Sequence, residues 1–325
     1  MAPLLNITEL SISFKQSQKK VTIVDRINIS LEAGKTLGVV GESGCGKSVT
    51  SLSVMRLLGK NAEISGKIRF QDTDLLSLTE KEMQKIRGND IAMIFQEPMT
   101  SLNPLYKIGR QISEPLTKHR ALSKQEAKEK AIELLKEVGI PRAAEIFSEY
   151  PHQLSGGMRQ RVMIAMAMAC NPKVLIADEP TTALDVTIQA QILELMKKVK
   201  REHGTAILLI THDMGVVAEM CDRVIVMYAG QIVEEADVKS LFREPKHPYT
   251  IGLMNSIPEL NADKDRLESI PGSVPSAQEM PKGCRFAPRC SKAMDICREV
   301  PHLLAVTDSH KCRCWLYADA REGAV

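Results

Sequence analysis

Nowhere does the chain reach the roughly 18 uninterrupted apolar residues that a membrane-crossing helix requires. Its N-terminus, Met1-Ala2-Pro3-Leu4-Leu5-Asn6, lacks a basic start followed by an apolar run, so no signal peptide is read there. The expectation is a cytoplasmic protein whose membrane role, if it has one, comes through partners. An excess of one charge is missing too: 43 basic against 40 acidic residues leave a formal charge of +3. That balance argues against nucleic-acid binding through bulk charge. Internal repeats and low-complexity tracts are absent. What is present is the composition of a folded protein, 44% hydrophobic and 26% charged over 325 residues, enough for one large domain or two smaller ones.

Short apolar runs alternate with helical patterns through most of the chain. Thr36–Val40, Ile91–Phe95, Val174–Ala177, Ala206–Ile210 and Val224–Met227 have the length and branched-residue content of buried strands. Strands alternating with helices predict an α/β layer with a mainly parallel sheet. From about Gln96 to Leu154 the strand signal lapses. The clearest element there is a helix over Lys124–Val138, opened by a capping box of Ser123 and Glu126 and stopped by Gly139 and Pro141. This section reads as a helical insert in the α/β core. From about Ala236 prolines accumulate and periodicity fades, which predicts a small irregular extension held by its cysteines.

The motif with the most specific chemistry is Gly41-Glu42-Ser43-Gly44-Cys45-Gly46-Lys47-Ser48, which fits G-x-x-x-x-G-K-[ST]. Glycines let the backbone curl until successive N–H groups face phosphate oxygens, and the following helix adds its positive end. Lys47 is expected on the β- and γ-phosphates of ATP and the Ser48 hydroxyl on Mg²⁺. Gly41, Ser43, Gly44, Cys45, Gly46, Lys47, Ser48 and Val49 are the candidate nucleotide-binding residues. A strand Val174–Ala177 ending in Asp178-Glu179 supplies the second part. Asp178 is placed to hold Mg²⁺ and Glu179 to orient or deprotonate the attacking water.

Leu154-Ser155-Gly156-Gly157-Met158 resembles the signature motif of ATP-binding cassette (ABC) proteins, with Met158 where Gln is usual. Other elements of that family follow in order. Gln96 resembles the Q-loop glutamine, Ala183-Leu184-Asp185 the D-loop and His212 the switch histidine. Phe14, followed by an insertion at Lys15–Lys20, is the best match to the aromatic that stacks on adenine. The resemblance covers about residues 4–235. It implies a phosphate-loop NTPase cassette with a helical subdomain at about 97–154. It also implies a cassette dimer, in which Ser155, Gly156, Gly157 and Asp185 of one subunit complete the ATP site of the other. Gln96 would join Ser48 and Asp178 on Mg²⁺, and Glu179, Gln96 and His212 would act in hydrolysis.

Beyond Ala236 the chain resembles a narrower group, the ATPase subunits of dipeptide, oligopeptide and nickel importers. The resemblance rests on Pro245-Lys246-His247-Pro248-Tyr249-Thr250, the tail cysteines and Gln96-Glu97-Pro98-Met99-Thr100-Ser101-Leu102-Asn103-Pro104. It implies a cassette over 1–235, an extension over 236–325 and a peripheral place on the cytoplasmic face of the membrane. The implied partners are a second ATPase subunit, identical or related, two permease subunits and, indirectly, an extracytoplasmic binding protein. A peptide cargo is expected, with nickel or another small solute, or a soluble non-transport ATPase, as alternatives. The group commonly carries a [4Fe–4S] cluster, here assigned to Cys284, Cys290, Cys297 and Cys314. Structural zinc, free or disulfide-linked thiols, and Cys312 as the fourth ligand remain open alternatives. His247, His302 and His310 are not expected to be ligands.

Overall fold

A computed structural model describes residues 2–16, 19–97, 101–182, 184–256 and 270–321. The strands, in chain order, begin with β1 (Leu5–Gln16), β2 (Lys19–Leu31), β3 (Thr36–Val40), β4 (Ala62–Phe70), β5 (Thr73–Asp74) and β6 (Ile91–Ile94). They continue with β7 (Val174–Asp178), β8 (Ala206–Ile210), β9 (Arg223–Tyr228), β10 (Gln231–Asp237), β11 (Leu304–Thr307) and β12 (His310–Cys312). Contacts divide the chain into two compact units. One holds Leu31–Lys35 and Asp74–Ile210, and the other holds Leu5–Ser30, Thr36–Thr73 and the chain from Thr211 onward. Among the described residues no helix is long and apolar enough to cross a membrane.

In the first unit β6, β7 and β8 lie parallel, with Ile91 opposite Val174 and Val174 opposite Ala206. Every residue of the three strands is buried, which is why they read in the sequence as unbroken apolar runs. Between β6 and β7 the described chain is helical. Helices Ile108–Arg120, Lys124–Glu137 and Gly156–Met168 pack on one another. The capping box of the middle helix forms as its sequence predicts: Glu126 N–H donates to Ser123 Oγ at 3.3 Å, and Ser123 N–H donates to Glu126 Oε2 at 2.8 Å. Ala127, Ala131, Leu134 and Leu135 make its buried face.

In the second unit β3 and β9 are parallel, with Val40 opposite Val226. β10 adds antiparallel to β9, β12 to β10 and β11 to β12. A separate antiparallel sheet has the order β2-β1-β4-β5, with Phe14 opposite Ala62. Two features differ from the expectation. The N-terminal strands form this antiparallel sheet, which alternation of strands and helices does not announce. The tail is more regular than its proline content suggests. It carries helices Val238–Arg243 and Pro248–Asn255, and the hairpin β11–β12 extends the sheet through β10.

Candidate functional site

The phosphate loop leaves the end of β3 and turns into helix Lys47–Val54. Two glycines are required by the geometry. Gly41 has φ 150°, and a Cβ there would meet the Met227 carbonyl oxygen at 2.2 Å. Gly46 has φ 102° and caps the helix. Ser43 and Gly44 are exposed at the crest, whereas Cys45 is buried, and burial pushes its thiol pKa up. Cys45 therefore enters the loop through its backbone: its N–H donates to the Glu42 carbonyl at 3.3 Å. Lys47 is 5% exposed and its Nζ donates to the carbonyls of Gly41 at 2.7 Å and Glu42 at 3.1 Å. Ser48 and Val49 are half-buried in the first helical turn. Phe14 lies on β1 in the same unit, half-buried; residues 17 and 18 of the adjoining insertion lie outside the described residues.

His212 follows β8 and is exposed, in a turn held by Asp213 N–H donating to Thr211 Oγ1 at 3.0 Å. Asp213 in turn caps helix Met214–Met220, accepting from Gly215 and Val216 N–H at 2.8 and 3.2 Å.

The first unit holds the carboxylates. Asp178 ends β7 at 4% exposure. Glu179 follows with φ 47°, a strained backbone for a side chain of this size, and its N–H donates to the Ile210 carbonyl at 2.8 Å. Its Oε2 accepts from Gln96 Nε2 at 3.0 Å and from Thr182 Oγ1 at 2.9 Å. Gln96 and Glu179, separated by 83 residues, are thus brought into direct contact.

Ser155 caps helix Gly156–Met168, accepting from Met158 N–H at 3.4 Å. Ser155 and Gly156 are exposed and Gly157 half-buried, so the helix start can meet an anion. Asp185 caps helix Val186–His203, accepting from Ile188 N–H at 2.9 Å. Ala183 of the predicted D-loop, and Pro98, Met99 and Thr100 of the predicted segment after Gln96, lie outside the described residues.

Gln160 was not foreseen as part of this arrangement. It is 2% exposed, and its Nε2 donates to the carbonyl of Pro180, the residue after Glu179. The available signal was an amide on the face of a helix otherwise buried through Val162, Met163, Ile164 and Ala165.

In the tail Cys284, Cys290, Cys297, Cys312 and Cys314 form no disulfides. Cys284 N–H donates to the Cys297 carbonyl at 2.9 Å. Burial, with a smaller push from neighbouring cysteines, raises the thiol pKa of Cys284, Cys290 and Cys314, that of Cys314 to about 11. Cys312 is fully buried on β12, opposite Glu234. Among the described residues no group of three or more His, Cys, Asp and Glu side chains is arranged to hold a metal ion. His247 and His310 serve the fold. His247 Nδ1 accepts from Tyr249 N–H at 3.1 Å, and His310 Nε2 lies 2.6 Å from Glu234 Oε1.

A glycine-rich loop between a buried strand and a helix, with an Asp-Glu pair ending another buried strand, defines a phosphate-loop NTPase. Two family descriptions match: "ABC transporter" over residues 24–182, and "Oligopeptide/dipeptide transporter, C-terminal region" over residues 233–297. The oligopeptide transport ATP-binding protein AppD of Bacillus subtilis is 55% identical over 327 residues, covering 100% of this chain and 99% of AppD. OppD of Escherichia coli, an oligopeptide transport ATP-binding protein, is 50% identical, covering 96% of this chain and 93% of OppD. The ATP-binding cassette MJ0796, solved as a post-hydrolysis dimer with ADP and Pi, is 29% identical with TM-score 0.65. It covers 72% of this chain and 98% of its own. The chain belongs to the ABC transporter ATPases, as a cassette carrying the oligopeptide/dipeptide C-terminal region.

Proposed function

We propose that the protein is the ATP-hydrolysing subunit of an importer of di- or oligopeptides. The observation that carries this reading is the succession of the two family regions on one chain, together with identity that runs its full length. The cassette is taken as residues 1–235, with its helical subdomain at about 97–154, and the extension as 236–325. Its partners are a second cassette, identical or related, and two permease subunits, with an extracytoplasmic binding protein delivering the peptide. The chain works peripherally on the cytoplasmic face of the membrane. Uptake of labelled peptides by vesicles holding the assembled transporter tests the cargo. Uptake of a nickel chelate in place of peptide would overturn it.

In this reading the backbone N–H groups of Gly41–Val49 and the Lys47 ammonium bind the triphosphate. Phe14 stacks on the adenine. Ser48, Asp178 and Gln96 hold Mg²⁺, which keeps water among its ligands and so needs no all-protein cage. Glu179 takes the proton of the attacking water, and Gln96 and His212 orient the reacting groups. Support comes from the placement of Glu179 directly after the strand end at Asp178, with Gln96 Nε2 and Thr182 Oγ1 fixing its Oε2 at 3.0 and 2.9 Å. Ser155, Gly156, Gly157 and Asp185 of the second cassette close the site. The Glu179→Gln variant is expected to bind ATP normally. Its turnover should fall at least about a hundredfold, the span of a general base. MgATP should trap it as a dimer by size-exclusion chromatography. Ordinary turnover in this variant would remove Glu179 from that role.

The four-thiol set Cys284, Cys290, Cys297 and Cys314 is chemically suited to a [4Fe–4S] cluster, since thiolates are the ligands of choice for iron–sulfur centres. What supports grouping them is their crowding in the sequence, Cys284-x5-Cys290-x6-Cys297-x16-Cys314, and the Cys284 N–H bond to the Cys297 carbonyl at 2.9 Å; the thiols are not already gathered around one point among the described residues. Bound, such a cluster would supply a structural or redox-sensing centre apart from hydrolysis. Anaerobic purification giving a brown protein with iron and labile sulfide supports it. A colourless protein with stoichiometric zinc would overturn it.

A further inference from the structure

Glu42, the second residue of the phosphate loop, is gripped by the C-terminal segment at two points. Its backbone N–H donates to the Tyr249 hydroxyl at 2.8 Å. Its carboxylate receives Arg289 Nη1 at 2.9 and 3.2 Å. Both partners are themselves fixed. Tyr249 is 0% exposed, and its ring lies 4.7 Å from that of Tyr228 and 5.5 Å from that of Phe286, centroid to centroid. The Arg289 side chain is 6% exposed, and its Nε and Nη2 donate to the carbonyls of Pro271 at 2.9 Å and Ile270 at 3.3 Å. These tail residues are separated from Glu42 by 207 and 247 positions in the chain.

The placement matters for what the loop must do. A phosphate loop binds by aiming backbone N–H groups at one focus, and ordering it in advance lowers the cost left to the ligand. Glu42 is also the loop's one carboxylate, in Gly41-Glu42-Ser43-Gly44-Cys45-Gly46-Lys47-Ser48. A bare anion beside an incoming triphosphate opposes binding; one paired with a guanidinium does so far less. Lys47 completes the arrangement from inside, donating to the Gly41 and Glu42 carbonyls.

We propose that Arg289 and Tyr249 are positioning residues for ATP: they hold Glu42, and with it the first turn of the phosphate loop, in the shape that receives the triphosphate, and Arg289 offsets the Glu42 charge. The C-terminal extension is thereby part of the nucleotide-binding apparatus without touching nucleotide. This inference rests on the reading of Gly41–Ser48 as the ATP site.

The test uses the full-length chain, with the Kd for a fluorescent ATP analogue, and the assembled transporter, with KM and kcat for ATP. Arg289→Ala leaves the Glu42 carboxylate unpaired and is expected to raise Kd and KM about tenfold, with kcat within about twofold. Tyr249→Phe should raise both about threefold, the loss of one neutral hydrogen bond. Adding Glu42→Gln to Arg289→Ala should restore most of the lost affinity, because the unpaired charge is gone; a purely structural role for Arg289 predicts no such rescue. Should Arg289→Ala fail to fold, Tyr249→Phe and Arg289→Lys carry the test, the lysine variant being expected to lie between wild type and the alanine value predicted here. A folded Arg289→Ala with unchanged Kd, a double variant as weak as the single one, or unchanged Kd in both Tyr249→Phe and Arg289→Lys would overturn the inference. Lys47→Ala separates the two levels. If it still binds the analogue normally, the ATP-site reading fails. If it loses binding while Arg289→Ala does not, only this inference fails.

Discussion

At the scale of single residues, the site is built from groups that are individually unfavourable and jointly fixed. Glu179 sits in left-handed backbone, a conformation that costs a side-chain-bearing residue about 1–3 kcal/mol. It is kept there by its N–H on the Ile210 carbonyl and by the loop bond from Thr182 N–H to its own carbonyl at 3.2 Å. Gln160 works on the next residue, through the Pro180 carbonyl. Replacing it with methionine keeps the volume and removes the donor. The buried carbonyl is then unsatisfied, which is expected to destabilise the chain by about 1–3 kcal/mol in urea unfolding. Turnover should fall more than ATP affinity, since Gln160 acts beside Glu179 and not on the phosphate loop. Equal loss of both would place its effect elsewhere.

Among elements, the parallel strands β3, β6, β7 and β8 are legible in the sequence because burial on both faces leaves no polar alternation to confuse the reading. The helix Lys124–Glu137 is legible because its start signal is local. β10 is harder. Its sequence Gln-Ile-Val-Glu-Glu-Ala-Asp looks half exposed, yet Glu234 is 0% exposed. What permits that burial lies far along the chain. Lys246 and His247 N–H donate to the carboxylate at 2.6 and 2.9 Å, and His310 meets it at 2.6 Å. The same distinction divides the site. The phosphate loop and the Asp178-Glu179 pair are contiguous and were readable, whereas Tyr249 and Arg289 act on Glu42 through separations that no local pattern encodes.

The buried cluster around Glu234, which includes His247 at the start of helix Pro248–Asn255, carries a pH dependence. Burial drives the His247 pKa down to about 4, against the usual 6.5. The unfolded chain therefore binds more protons between those values, and stability falls as pH drops through that window. The lowered pKa of Glu234, held down by His310 and the backbone donors of Lys246 and His247 against the cost of burial, acts in the same direction. Between pH 7 and pH 5 the His247 contribution amounts to a loss of about 2 kcal/mol. Urea midpoints across that range are expected to fall in the wild type and to flatten in His247→Asn. A flat wild-type profile would contradict the assignment.

For the whole molecule, the hairpin β11–β12 has a consequence for how the protein can be divided. β12 pairs with β10 through Glu234, Glu235 and Ala236. A chain trimmed at residue 235 would end inside β10, bare its hydrogen-bonding rim and strip Glu234 of its imidazole and amide partners. Exposed rims of this kind recruit further copies by strand addition. The trimmed cassette is expected to self-associate, eluting as aggregates where the full chain does not, even with its phosphate loop and acidic pair intact. A usable truncation of this chain therefore has to run at least through Cys312, because the short hairpin β11–β12 stands where the long rim of β10 would otherwise lie open.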